Sequence, residues 1–132
     1  MPQKFVLIDD DPDDRDLFKE ALGRLLPGAE LVEFTDGRKA VEWLSGITGE
    51  KLPAAIVMDY NMPHLTAPQL LDRLCENEML THIPKIVWST AVQPTYFDNC
   101  KNKGALEYFI KPTTQEGLVW IVQQVIDFAG RA

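Results

Sequence analysis

Short apolar runs alternate with amphipathic stretches along this whole chain, and that alternation restricts its fold more than any other feature. The runs are Phe5-Val6-Leu7-Ile8, Leu31-Val32-Glu33-Phe34, Ala54-Ala55-Ile56-Val57-Met58, Ile86-Val87-Trp88 and Leu106-Glu107-Tyr108-Phe109-Ile110. Their length and their branched and aromatic residues suit strands. Between them the apolar residues fall at helical spacing. After Pro12 they stand at 17, 18, 21, 22, 25 and 26, and Pro27-Gly28 closes the segment. Asp36 caps a stretch bearing Ala40, Val41, Leu44 and Ile47, with a loop over 46–53. Thr66 caps another bearing Leu70, Leu71, Leu74 and Cys75. A less regular helix is expected over about 94–103, ending at Gly104, and a last one over about 114–128. Five strands alternating with five helices imply a parallel sheet covered on both faces. In such sheets, sites form beyond the carboxyl ends of the strands.

The 132 residues fit one domain over 1–132, and 45% apolar residues suffice for a core. Twenty acidic residues against 13 basic ones leave a net charge of −7. That argues against direct nucleic-acid binding and against docking on an anionic membrane. Cys75 and Cys100 lie far apart without metal spacing, as reduced thiols do. The opening apolar stretch is too short for a signal peptide or a membrane span, so a cytoplasmic location is expected.

The reactive residues all follow apolar runs. Asp9, Asp10 and Asp11 follow the first, Asp59 the third, Ser89 and Thr90 the fourth, and Lys111 the fifth. A parallel sheet brings those ends to one edge. Clustered carboxylates repel unless a cation sits among them, and a small set of oxygen ligands favours Mg²⁺. Lys111 adds a point charge suited to phosphate. A carboxylate can attack phosphorus and form an aspartyl phosphate. The chain has no Gly-rich phosphate loop, so no bound nucleotide is indicated as donor.

Four segments carry a family resemblance. They are Val6-Leu7-Ile8-Asp9-Asp10-Asp11-Pro12, Ile56-Val57-Met58-Asp59-Tyr60-Asn61-Met62-Pro63, Ile86-Val87-Trp88-Ser89-Thr90-Ala91 and Tyr108-Phe109-Ile110-Lys111-Pro112. In this order and spacing the chain resembles the receiver domain of two-component response regulators, of the chemotaxis-protein type. The acidic opening and the long loop before Ala54 resemble a single-domain subgroup, some of whose members partner phytochrome-type kinases.

The resemblance implies a doubly wound, flavodoxin-like sheet of order 2-1-3-4-5 with five flanking helices. It implies that Asp9 and Asp10 organise Mg²⁺. Asp59 is then the phosphoacceptor and a metal ligand, and Asn61 lends its backbone carbonyl. Ser89 becomes the switch hydroxyl, Tyr108 the aromatic switch residue and Lys111 the phosphate-binding lysine. The Lys111-Pro112 bond is expected to be cis. The implied partners are a sensor histidine kinase or phosphotransfer protein and a downstream protein. A homodimer stays open. The chain would be a stoichiometric acceptor rather than an enzyme, and its last helix leaves no room for a DNA-binding output domain. One departure is Ala67, where the family usually has Gly; Ala does not tolerate the positive φ that Gly does.

Other readings compete. Asp13 and Asp14 are expected only to favour a helix start. Asp9, Asp11, Asp13 and Glu20 imitate calcium-loop spacing, but Asp14 stands where that loop needs Gly. Haloacid-dehalogenase-type phosphatases want Gly-Thr where Pro12-Asp13 stands. A receiver fold without phosphorylation and a Mg²⁺-dependent phosphatase are the alternative functions. His64 and His82 are expected at the surface. Trp43, Trp88 and Trp120 are expected in core or interface positions, and Met58 and Met62 in packing.

Overall fold

Alternation becomes architecture in the computed structural model, which describes residues 3–90 and 93–131. Ala91, the last residue of the third quoted segment, lies outside the described residues, as do Val92 and the terminal Met1, Pro2 and Ala132. The strands are β1 (Lys4–Ile8), β2 (Glu30–Phe34), β3 (Ala55–Asp59), β4 (Lys85–Ser89) and β5 (Glu107–Ile110). The helices are α1 (Pro12–Leu25), α2 (Gly37–Ser45), α3 (Ala67–Cys75), α4 (Pro94–Asn102) and α5 (Gln115–Arg131). All neighbouring strands pair in parallel, in the order β2-β1-β3-β4-β5, as expected.

Side-chain alternation along the strands builds two cores. Val6, Ile8, Ile56, Met58 and Val87 face one side and pack with Leu44, Leu70, Leu71 and Leu74. Phe5, Leu7, Val57, Ile86 and Trp88 face the other and pack with Phe18, Leu22, Leu118, Val122 and Val125. The two-sided burial explains why these strands read as continuous apolar runs rather than alternating ones.

Local chemistry sets the helix ends. Asp11 caps α1, its Oδ1 accepting from the Asp13 N–H at 2.9 Å, with Pro12 at the first helical position. Asp36 caps α2 in the same way through the Arg38 N–H at 2.8 Å. At α3 the Gln69 side chain accepts from the Thr66 N–H at 3.0 Å, half of a capping box. Gly28 and Gly104, at φ 92° and 105°, turn the chain after α1 and α4.

Several expectations shift. Short 3-10 turns over Gly49–Lys51 and Glu78–Leu80 break up two loops. Helix α5 runs to Arg131, past the expected end. Trp88 is core, whereas Trp120 is exposed and meets Phe109 edge-on. His64 and His82 lie at the surface, and Met58 and Met62 are buried. The loop after β3 needs no glycine at Ala67, which is already the first residue of α3 and donates its N–H to the Tyr60 carbonyl. The positive φ of this loop, 72°, falls on His64 instead. No helix among the described residues is long and apolar enough to cross a membrane.

Candidate active site

Each strand delivers its last residues to the carboxyl edge of the sheet. Asp9 directly follows β1, Asp59 ends β3, Ser89 ends β4 and Lys111 directly follows β5. Strand register fixes their depth. Asp59 stands opposite Trp88, and Ser89 opposite Ile110. The Lys111 N–H donates to the Ser89 carbonyl at 2.8 Å, which continues the ladder one step past β5.

Carboxylate oxygens of Asp9, Asp10 and Asp59 lie within 4.8 Å of one another. Asp9 is fully buried and Asp59 nearly so, whereas Asp10 faces solvent. The Asp9 Oδ1 accepts from the Asp11 N–H at 2.9 Å. Its Oδ2 lies 2.9 Å from the Lys111 ammonium but without hydrogen-bond alignment, so this buried oxygen keeps a free lone pair. Arg15 braces the turn by donating to the Asp9 carbonyl at 2.7 Å.

Lys111 holds three carboxylates. Its Nζ lies 2.7 Å from Asp14 Oδ2, 2.9 Å from Asp9 Oδ2 and 3.2 Å from Asp59 Oδ2. The Trp88 ring sits 5.3 Å from the same ammonium and closes another side. A trans Lys111-Pro112 bond suffices for this reach. The expected cis bond is therefore a correction: no cis peptide occurs among the described residues. Backbone pairing of Lys111 with Ser89 already aims its side chain at the cluster.

Burial and like charge act on the acids. Burial, then the neighbouring Asp9 charge, push Asp59 up to about 6, against the pull of Lys111 and the Asn61 N–H. Burial also raises Asp9, partly offset by the Asp11 N–H and Lys111. For Lys111, burial favours the neutral amine, but the Asp14 and Asp9 carboxylates outweigh it and hold the group more basic than usual.

A second cluster adjoins the first. Ser89 is buried and ends β4, on the strand beside Tyr108 of β5. Tyr108 is only 8% exposed. It sits 6.3 Å from the Tyr60 ring and 6.1 Å from Phe97, and Tyr60 stacks on Tyr96 at 4.1 Å. Tyr60 directly follows Asp59, while Tyr96 and Phe97 belong to α4. An aromatic path therefore runs from the acid to α4.

The model of the response regulator receiver domain matches residues 5–123. This chain belongs to the response regulator receiver family. The rice two-component response regulator ORR3 is 30% identical over 116 residues, covering 86% of each protein. The receiver domain also matches the sensor histidine kinase CheAY of Helicobacter pylori at 29% identity, spanning 98% of this chain but only 16% of that kinase. Among solved structures, the phosphorylated cyanobacterial phytochrome response regulator RcpA superposes with a TM-score of 0.86 at 24% identity, over 97% and 94% of the two chains. The Mn²⁺-bound response regulator Rcp1 follows at 0.83 and 25%, over 96% and 94%.

The receiver fold brings together Asp9, Asp10, Asp59 and Lys111, and sets Ser89 and Tyr108 beside them. Asn61 adjoins through its N–H to Asp59. One residue was misread in sequence. Asp14 makes the shortest contact to Lys111 and is not merely a helix-start charge. Its signal was its register: Asp14 lies four residues before Phe18 and seven before Ala21, on the buried stripe of α1. Asp13, off that stripe, does stay exposed.

Proposed function

We propose that Asp59 accepts a phosphoryl group from the phosphohistidine of a sensor kinase or phosphotransfer protein, in a Mg²⁺-dependent reaction in the cytoplasm. The carrying observation is the joint placement of Asp59 with two further carboxylates and one ammonium at the sheet edge. An Asp59 oxygen attacks phosphorus, the bond from phosphorus to the donor nitrogen breaks, and the imidazole leaves. Lys111, already against Asp59 Oδ2, neutralises charge on the phosphoryl oxygens.

The residues fit a divalent metal. The donors are all oxygens, and the buried Asp9 Oδ2 accepts no hydrogen bond and offers a lone pair that a metal would coordinate. Asp9, Asp10, Asp59 and the Asn61 carbonyl would hold it, and the metal would spread charge from the transferred group. The Mn²⁺ in Rcp1 supports this reading.

Ser89 and Tyr108 form the switch. A phosphoryl oxygen on Asp59 draws the Ser89 hydroxyl toward it and vacates space beside Tyr108. A charge-assisted bond worth ~1.5–3 kcal/mol can tip two states that differ by little. Movement of Ser89 lets the Tyr108 ring shift, and its contacts with Tyr60 and Phe97 pass the change to α4 and a downstream protein partner.

Incubation with an acyl phosphate and Mg²⁺ tests the reaction. Mass spectrometry should show one added phosphoryl group, labile to base, and Asp59→Asn should abolish it. Asp10→Asn should weaken Mg²⁺ binding. Unchanged labelling of Asp59→Asn would reject the acceptor. No labelling of the wild type would favour a binding module that is never phosphorylated. Multiple turnover of a phosphate ester without an Asp59 adduct would favour a phosphatase.

A further inference from the structure

Lys111 and a divalent metal claim the same oxygens. The ammonium lies 2.9 Å from Asp9 Oδ2 and 3.2 Å from Asp59 Oδ2, and both acids belong to the three-carboxylate cluster. Two cations cannot share that cluster at full strength, because each lowers the negative potential that the other needs. An ammonium held only by Asp9 and Asp59 would compete directly with the metal.

Asp14 alters this competition. It lies outside the three-carboxylate cluster, yet its Oδ2 makes the shortest of the three contacts to Lys111, at 2.7 Å. Its carboxylate is carried by the first turn of α1, which Pro12 and the Asp11 cap hold in place. It is also only partly exposed, so solvent screens the pair weakly.

We propose that Asp14 is a positioning residue, a carboxylate onto which the Lys111 ammonium withdraws when a divalent metal takes Asp9 and Asp59. The inference rests on the magnesium reading of the site and deepens it. Lys111 then stays at the sheet edge, close enough to meet phosphoryl oxygens, without occupying the metal's ligands. Asp14 thus raises metal affinity without touching the metal.

A double-mutant cycle on the full chain tests this, with Mg²⁺ affinity read by calorimetry or amide chemical shifts. Asp14→Asn should weaken Mg²⁺ binding roughly fivefold, in the range of couplings between contacting residues. Asp14→Glu should restore most of it. In a Lys111→Met background the same Asp14→Asn change should have much less effect, because the competing ammonium is gone. An equal factor in both backgrounds would mean that Asp14 acts only as distant charge, and would overturn the proposal.

Should Lys111→Met fail to fold, the wild type alone decides. The ¹⁵N signal of the Lys111 ammonium should stay protected from exchange in saturating Mg²⁺ and lose that protection in Asp14→Asn. Its disappearance from the wild type on metal addition would reject the withdrawal. Asp10→Asn separates the two levels. If that variant binds Mg²⁺ normally, the metal reading itself fails; if it binds poorly while Asp14 shows no coupling, only the positioning role fails.

Discussion

Lys85 and Lys111 are two lysines with little exposure at opposite edges of one sheet, and they titrate in opposite directions. Lys85 stands at the amino edge, 3% exposed, where its ammonium donates to the Thr81 carbonyl at 3.2 Å. No carboxylate meets it among the described residues, and burial holds it less basic than usual. Lys111 stands at the carboxyl edge among three carboxylates, which more than offset the same burial. Burial alone therefore does not mark a functional lysine. What separates the two edges is where the turns after the strands place acids: Asp9, Asp10 and Asp59 all gather on one side.

Removal of Lys111 should break this contrast most severely. In metal-free buffer, Lys111→Met leaves Asp9, Asp14 and Asp59 facing one another without a cation. Urea unfolding should show a loss of about 3 kcal/mol, as for other broken buried ion pairs, and Mg²⁺ should recover part of it. A loss below about 1 kcal/mol would put Lys111 in the same class as Lys85.

Asp59 should give the next largest effect, with a pH signature. A carboxyl whose folded pKa is raised binds its proton more tightly in the folded chain than in the unfolded one. Its ionisation therefore withdraws stability as pH rises from the usual carboxylate range through about 6. Asp59→Asn cannot ionise. Without Mg²⁺ it should exceed the wild type by ~1–3 kcal/mol at neutral pH and above. The gap should close as pH falls toward about 4. A gap independent of pH would show that Asp59 is not destabilised by its neighbours.

Lys85→Met should do least. The variant gives up one hydrogen bond to Thr81 and a desolvation cost, two opposing effects that leave the unfolding free energy within about 1 kcal/mol of the wild type. Mg²⁺ affinity should not change. Any change in metal binding would link the two edges, which the geometry keeps apart.

Local pattern carried most of the fold. The period of the apolar residues distinguishes strand from helix because side chains repeat every two residues in one and every 3.6 in the other. The caps at Asp36 and Thr66 were legible because such residues just before an apolar-periodic stretch mark a helix start. Asp9, Asp10, Asp59 and Lys111 were legible as a group because each follows a strand and parallel strands end together. The conformation of Lys111-Pro112 was not legible, since the isomers differ by only about 1 kcal/mol and long-range contacts select between them.

By itself the sequence determined that there would be a two-faced parallel sheet and that its acids and one lysine would meet at its carboxyl edge. Those outcomes depend on periodicity and chain order, which are local or topological. Only the tertiary structure decided how the charges divide. It placed Asp14 on Lys111 at 2.7 Å across 97 residues of chain, and left Lys85 without a carboxylate among the described residues. It also buried Tyr108 between Tyr60 and Phe97. Such pairings depend on ångström distances between elements remote in sequence, and electrostatic and hydrogen-bond energies change steeply over those distances.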